Sequence, residues 1–313
     1  MAVVVVGAGI AGLACARVLA DAGVPVRVVE RGRVCGGRLA TKRYDGRRTD
    51  IGAAYFTAQD PDFAALVARW QSSGLVREWT DTLSVLDPDG AHKVTGPMRW
   101  AAPGGLRSLA EDLAAGLDVT TEHEVEWIEP GPRVDGVEAD AVVLAMPGPQ
   151  ALRILDPSLG QARNAVHDQK WLPSLAVTLV YPARDWSDFH GAFVNDHPVL
   201  QTVCDDGERR GDGAPVLVAH TTAEFAEHFT ADPAAAGDEV EVAVRSVLGL
   251  SDRPLAVHVH RWTYARPSQA GRAEFHLDGQ GIGIAGDAWG HPRVETAWVS
   301  GTALGRALVL RLS

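Results

Sequence analysis

The chain opens on an uninterrupted apolar run, residues 2–6, whose β-branched side chains suit a strand buried on both faces. Glycines stand at 7, 9 and 12, and from residue 10 to 22 apolar positions recur at helical spacing until Gly23 stops them. Residues 26–29 read as a second buried strand, closed by Glu30. The opening thus predicts strand, turn, helix and strand. Residues 141–145, halted by Met146-Pro147, and residues 281–285 are short apolar strands of the same kind, and residues 294–312 predict a helix with a long apolar face. Between these ends the pattern changes. Residues 175–181, 199–204, 216–222 and 255–264 alternate or run apolar, as in a mostly antiparallel sheet. Helices are expected at 62–72, 106–117, 222–229 and 237–248, and the Gly- and Arg-rich stretch 31–49 reads as a long loop. The result is an α/β protein with a discontinuous nucleotide domain (1–58, 97–165 and 275–313). A mostly antiparallel α+β substrate domain (59–96 and 166–274) is inserted into it.

Composition narrows the partners. The 313 residues are 46% hydrophobic and 22% charged, ordinary for a globular chain, and the net charge of −11 disfavours nucleic acid or an anionic membrane surface. Cys15, Cys35 and Cys204 form neither a CxxC pair nor a zinc-ligand spacing, so neither a metal site nor a disulfide framework is expected and a cytoplasmic location is. Residues 1–16 lack charge, as in a signal peptide. They also lack its positive leading region, and their glycines fall where a nucleotide-binding turn needs them. No other segment is apolar and long enough to span a bilayer.

Gly7-Ala8-Gly9-Ile10-Ala11-Gly12 matches GxGxxG between the first strand and helix. Gly7 permits a tight turn, Gly9 a close approach to a pyrophosphate, and Gly12 close packing of helix on strand. The helix N-terminus adds unpaired N–H groups for phosphate. Glu30, ending the second strand, can accept the adenosine ribose hydroxyls. This fingerprint alone serves NAD or FAD.

Further motifs separate the two. Glu30-Arg31 runs into Gly36-Gly37-Arg38-Leu39-Ala40-Thr41, which resembles the second dinucleotide contact of glutathione-reductase-type flavoproteins of the amine oxidase class. There a Gly-Gly-Arg turn lies along the FAD pyrophosphate, and Arg38 would neutralise phosphate charge. Ile284-Ala285-Gly286-Asp287, followed by Arg293-Val294-Glu295-Thr296-Ala297-Trp298, resembles the last FAD motif of that class. The resemblance implies a glutathione-reductase-type FAD-binding Rossmann domain and non-covalent FAD. The expected FAD contacts are Gly7, Gly9, Ile10, Ala11, Gly12, Glu30 and Arg31 at the first turn. Gly37, Arg38, Gly52, Ala53, Val125 and Met146 follow, and Gly286, Asp287, Glu295, Thr296 and Ala297 complete the set near the end of the chain. A helix N-terminus aimed at the flavin pyrimidine edge would stabilise negative charge on the reduced ring.

Asp50-Ile51-Gly52-Ala53-Ala54-Tyr55-Phe56-Thr57 narrows the likeness to renalase-like flavoproteins. It continues through Pro103-Gly104-Gly105-Leu106, residues 142–150, residues 191–196 and Arg261-Trp262-Thr263-Tyr264-Ala265-Arg266-Pro267. That resemblance implies an oxidase of 2- and 6-dihydro isomers of NAD(P)H, with hydride passing to flavin N5 and dioxygen reoxidising the flavin to give hydrogen peroxide. Two stretches depart from the pattern. Gln201-Thr202-Val203-Cys204-Asp205-Asp206 stands where relatives carry Trp and Asn, and Ala288-Trp289-Gly290-His291-Pro292 replaces a Trp-Cys-Leu-Ser type stretch. Two added acids do not suit an anionic substrate unless they point away. Tyr55, Trp171, His220, Trp262 and Trp289, with Tyr264, are the candidate catalytic-cavity walls, and Arg266 a candidate for a substrate phosphate or carboxylate. Two alternatives stay open: a flavin amine oxidase or desaturase on a small metabolite, and a flavin-binding redox sensor without turnover.

Overall fold

The computed structural model describes residues 1–186 and 189–313. Strand β1 (Val3–Val6), helix α1 (Ile10–Asp21) and β2 (Val26–Val29) form the expected opening unit. The stretch expected as loop contains a hairpin, β3 (Thr41–Tyr44) with β4 (Arg47–Asp50). Its polar residues hid it: the hairpin pairs as a two-stranded ribbon and carries no apolar period. Helix α2 (Pro61–Ser72) follows, capped by Asp60, whose carboxylate accepts from the Asp62 and Phe63 amides at 3.0 and 2.9 Å. Next come β5 (Arg77–Asp87) and β6 (Gly90–Ala101), a long hairpin absent from the expected elements. Strand β6 is an edge strand exposed along most of its length, so binary patterning is silent there, although Pro88-Asp89-Gly90 is a turn signal. Residues 97–101, assigned above to the nucleotide domain, are the end of β6 in the second sheet.

Helix α3 (Arg107–Ala114) is shorter than expected and leads to β7 (Asp118–Thr120). Strands β8 (Ile128–Glu129), β9 (Arg133–Val134) and β10 (Val137–Glu138) make a small antiparallel sheet before β11 (Val142–Leu144), α4 (Gly148–Ile154) and α5 (Gly160–His167). The inserted part runs β12 (Trp171–Val180), β13 (Gly191–Val194), β14 (Leu200–Asp205), α6 (Asp206–Arg210), β15 (Val216–Thr221), α7 (Ala223–His228), α8 (Gly237–Leu248) and β16 (Ala256–Pro267). The chain returns through β17 (His276–Leu277) and β18 (Ile282–Ile284) to α9 (Val294–Leu312).

Among the described residues the first sheet has the order β17-β18-β11-β1-β2-β7, parallel except for β17. The second has the order β16-β12-β15-β14-β13-β5-β6, antiparallel except between β13 and β5. A mixed α/β protein with a Rossmann-type domain and a mostly antiparallel second sheet is therefore the architecture. Leu175, Val177, Val203 and Ala219 on one face of the second sheet share a core with Val240 and Val244 of α8. The other face meets the nucleotide domain, where Tyr44 stacks on His258 at 4.1 Å. Among the described residues no helix is long and apolar enough to cross a membrane.

Helix α9 lies across α1 at backbone contact: a Cβ on Gly301 would fall 2.0 Å from the Ala11 carbonyl oxygen. Gly301→Ala should therefore force the helices apart at a cost of roughly 1–3 kcal/mol. A thermal scan should show Tm lowered by roughly 2–5 °C; an unchanged Tm would contradict this packing.

Candidate active site

The first turn is built by close backbone approach. Gly7 has φ +107°, and a Cβ there would lie 2.7 Å from the Ala145 carbonyl oxygen, while one on Gly12 would lie 2.0 Å from that of Gly7. Gly9 differs: nothing stands within 4 Å of the position its Cβ would take. The Gly36 amide donates to the Ala8 carbonyl at 2.9 Å, which lays the Gly-Gly-Arg turn along this one. Helix α1 has no side-chain cap and no acid in its first turn, so Ile10 and Ala11 begin it with unscreened N–H groups. Glu30 accepts from the Ala8 amide at 2.8 Å and the Gly32 amide at 2.7 Å. Its carboxylate thus shapes the turn and still has lone pairs for ribose hydroxyls. Arg31 is exposed.

The Gly-Gly-Arg turn and the C-terminal motif meet across 249 residues. Arg38 donates to both Asp287 oxygens, at 2.7 and 2.5 Å, and to the Ala265 carbonyl at 3.2 Å, with its guanidinium carbon 5.0 Å from the Trp171 ring centre. Its charge is therefore balanced by a buried carboxylate rather than left free for phosphate, as the resemblance implied. A Cβ on Gly37 would lie 3.4 Å from the Gly9 Cα, and open space surrounds the Cβ position of Gly286. The buried Trp171 indole N–H has no partner among the described residues. Open backbone at Gly9 and Gly286, uncapped N-termini of α1 and α9, and this orphaned donor are what a dinucleotide cradle requires. Val125 and Met146 pack in the cluster of Val6 and Val29. Glu295 is turned to the Gln59 and Asp60 amides, Thr296 donates to the His291 carbonyl at 2.6 Å, and Ala297 is buried.

Residues 51–54 form a strap gripped from several elements. The Trp262 indole donates to the Ile51 carbonyl at 2.7 Å, and the Ala53 amide donates to the Arg38 carbonyl at 2.9 Å. The His220 ring meets the Ile51 and Gly52 backbone, and Arg209 donates to the Ala54 carbonyl. Gly52 admits no side chain, since a Cβ would fall 1.9 Å from the Arg38 oxygen. Trp262 thus has its polar atom engaged in holding the strap, and His220 lies behind it with a ring nitrogen 3.5 Å from the Thr202 hydroxyl, whereas the sequence suggested cavity walls.

The other candidates divide. Trp171 stands edge-on to Tyr264 at 6.5 Å, beside Arg38. Tyr55 sits against Trp79 at 5.9 Å, with the Arg99 guanidinium 5.4 Å from its ring centre, and burial raises its phenol above the ordinary value. Trp289 stacks on His276 at 6.4 Å, in company with the Val6 and Val29 cluster. Arg266 is exposed and lines a cleft of about 230 Å³ with His197, Gln201 and Glu224. Burial, then the Arg209 charge, pushes His220 down to about 4; burial, then Lys42, does the same to His260. Asp205 and Asp206 are buried and engaged in ion pairs with Arg184, Arg47 and Arg209. Sequence reasoning passed over Arg99 and Arg209; dense charge at Asp205-Asp206-Gly207-Glu208-Arg209-Arg210 after a buried strand was the available signal for the second.

A parallel sheet with an open glycine turn, a second dinucleotide contact and an antiparallel sheet closing over a strap define a two-part flavin-binding oxidoreductase. The family of NAD(P)-binding Rossmann-like domains matches residues 5–70, and flavin containing amine oxidoreductase matches residues 71–304. The chain belongs to the flavin-containing amine oxidoreductase family, and FAD is its cofactor. It is 38% identical to putrescine oxidase of Kocuria rosea over 117 residues, 37% of this chain and 24% of that protein. Over 58 residues, 18% of this chain and 12% of the relative, it is 43% identical to carotenoid 3,4-desaturase of Haloarcula japonica. These matches span about a quarter or less of the relatives' length. Its fold is similar to cyclohexylamine oxidase from Brevibacterium oxydans IH-35A (TM-score 0.80, 15% identity, 99% of each chain covered). It is similar also to a putative protoporphyrinogen oxidase from Exiguobacterium sp. 255-15 (TM-score 0.79, 18% identity, 99% and 98% covered).

Two outcomes follow for purified protein. Gly9→Val should leave the Tm of the FAD-free protein unchanged, because no atom opposes the new side chain, and weaken FAD binding by about tenfold or more. FAD titration that gives the parental affinity would remove Gly9 from the cradle. His220 titrates near 6.5 when unfolded and near 4 when folded, so the unfolded state binds more protons between those values. Its contribution to stability is complete above pH 6.5 and is lost as pH falls towards 4. Denaturant midpoints should decline over that window, and less steeply in His220→Gln.

Proposed function

We propose that this chain is an FAD-dependent oxidase acting on a small amine, removing a hydride from the carbon beside the nitrogen. Family membership over residues 71–304 supports the reaction class. The state of the groups around the strap carries the substrate reading. His220 and His260 are neutral at pH 7, and Asp205 and Asp206 are held in ion pairs. An amine gives up hydride only with its nitrogen lone pair free. Neutral histidines behind the strap and carboxylates engaged in ion pairs offer a bound amine no free negative charge to hold its proton, so the reactive neutral form is the one bound. No general base is then needed, and the chain's tasks are orientation and exclusion of water.

FAD supplies the two-electron acceptor, and its reoxidation by dioxygen yields hydrogen peroxide. The glycine turn with Glu30 would bind its adenosine end, and Arg38 with Asp287 the middle. The strap would seat the ring. Trp171 and Tyr264 offer flat walls to a substrate, and Arg38 fixes Trp171 by lying against its face. Unpaired Cys15, Cys35 and Cys204 suit a reducing compartment, and we place the protein in the cytoplasm.

A second reading has its own support. The likeness to renalase-like flavoproteins includes the strap and residues 261–267, and exposed Arg266 beside the 230 Å³ cleft suits an anionic dinucleotide. On that reading the donor is a 2- or 6-dihydro isomer of NAD(P)H.

Anaerobic mixing of the yellow protein with each donor decides between them. Short diamines, cycloalkylamines and linear monoamines form one panel; borohydride-reduced NAD⁺, which contains all dihydro isomers, and pure 4-dihydro NADH form the other. Bleaching of the flavin band by an amine, with peroxide formed in air, is the expected outcome. Bleaching only by the reduced NAD⁺ mixture would transfer the assignment to the second reading. Bleaching by neither would leave a flavin protein without turnover on these donors.

A further inference from the structure

The two acids that depart from the renalase-like pattern begin a buried charge network. Helix α6 fills the turn between β14 and β15 and is seated tightly: Asp205 accepts from the Glu208 amide at 2.9 Å, from Arg184 at 2.7 Å and from the Trp186 indole at 2.6 Å. A Cβ on Gly207 would fall 2.0 Å from the Ala214 carbonyl oxygen. So placed, α6 sends two consecutive guanidinium groups into the interior, with Arg209 1% and Arg210 7% exposed. Arg210 donates to the Pro103 carbonyl at 2.8 Å and lies 3.5 Å from Asp50. Asp50 also accepts from Thr41 at 2.5 Å and the Leu106 amide at 3.0 Å. Arg209 donates to the Ala54 carbonyl and pairs with Asp206, whose other oxygen accepts from Arg47 at 2.6 Å; Arg47 in turn holds Asp212 at 3.0 Å.

Four arginines thus face four aspartates, and the network grips both ends of the strap: Asp50 precedes Ile51, and Ala54 ends it. Buried ion pairs of this kind add little net stability over apolar packing, because desolvation opposes the Coulomb attraction. What they add is fixed geometry. A planar guanidinium pinned by Asp206 can donate to a carbonyl in only a narrow range of positions. Trp262 holds the Ile51 carbonyl, and Arg209 is the contact from the second sheet's side that determines where the 54–55 peptide lies.

We infer that Arg209, oriented by Asp206, is a positioning residue for the flavin: by holding the Ala54 carbonyl it sets the strap against which the ring is seated. The inference rests on the FAD-dependent reading above. Its role is indirect, so it must be visible in the cofactor before any substrate is added.

The test uses Arg209→Met combined with Asp206→Asn, which removes opposite charges together and leaves Arg47 paired with Asp212, alongside Arg209→Lys. FAD affinity, the visible flavin spectrum and Tm with and without FAD are measured. The double variant should keep the Tm of the FAD-free protein within a few degrees. Loss of a charged donor to Ala54 should raise the FAD dissociation constant by about tenfold, and the structured flavin band should broaden towards that of free FAD. Arg209→Lys keeps the charge and should recover part of the affinity and part of the band shape. Parental affinity and spectrum in the double variant would overturn the inference. Should the double variant fail to fold, Arg209→Lys decides alone: parental affinity and spectrum would overturn it, and an altered spectrum in a fully folded protein would sustain it. A parental protein that does not retain FAD would sink the reading beneath, whereas a normal parental holoenzyme with unaffected variants sinks only the role of Arg209.

Discussion

Backbone runs against backbone with no room for a side chain where Gly7 meets Ala145, Gly12 meets Gly7 and Gly301 meets Ala11. These approaches draw β1, β11, α1 and α9 together. Because α1 starts at such a turn, its first amides face outward with no side-chain cap, and Gly9 is left with empty space before it. A surface that would be a defect in an ordinary helix start becomes an anion site. The rest of the molecule is arranged around that opening.

The second sheet supplies the opposite constraint. Its face towards the nucleotide domain carries His220, His258, His260 and Trp262, each meeting the strap or the β3–β4 hairpin. Burial between two sheets explains why His220 and His260 are held neutral, and why the acids after β14 are paired off rather than presented to a ligand. Arg38 ties the two parts together, bonded to Asp287 from the C-terminal motif and to Ala265 of β16. Cofactor contacts and sheet contacts therefore share residues. A change on either side of the strap is felt on the other.

Legibility in the sequence followed burial. Residues 3–6, 142–144 and 282–284 are strands sandwiched between layers, and uninterrupted apolar runs announce such strands directly; residues 26–29 do so through Val28 and Val29 despite Arg27. The β5–β6 hairpin escaped because β6 is an edge whose exposed side chains obey no period, and the β3–β4 hairpin because it is a polar ribbon. Site residues divide along the same line. Glycines that must lack a side chain are readable as motifs. The aromatic and charged candidates were readable only as types: Trp262 was expected to face a substrate and is bonded to the strap, His220 sits beside Thr202, and Trp289 stacks on His276. Arg209 left only a dense run of charge as its trace.

By itself the sequence determined the order of elements at both ends of the chain, the dinucleotide turn and the class of cofactor. The first two depend on short-range rules, strand and helix periods and glycine where backbone must approach backbone, and the cofactor on the resemblance of the Gly-Gly-Arg turn and the C-terminal motif to flavoproteins. Only the tertiary structure decided which charges meet, since Arg38 finds Asp287 249 residues away and Arg209 finds Ala54 155 residues away. No local pattern encodes such pairs. They arise because two sheets close on one strap and leave each buried charge to find the nearest partner that can offset its desolvation.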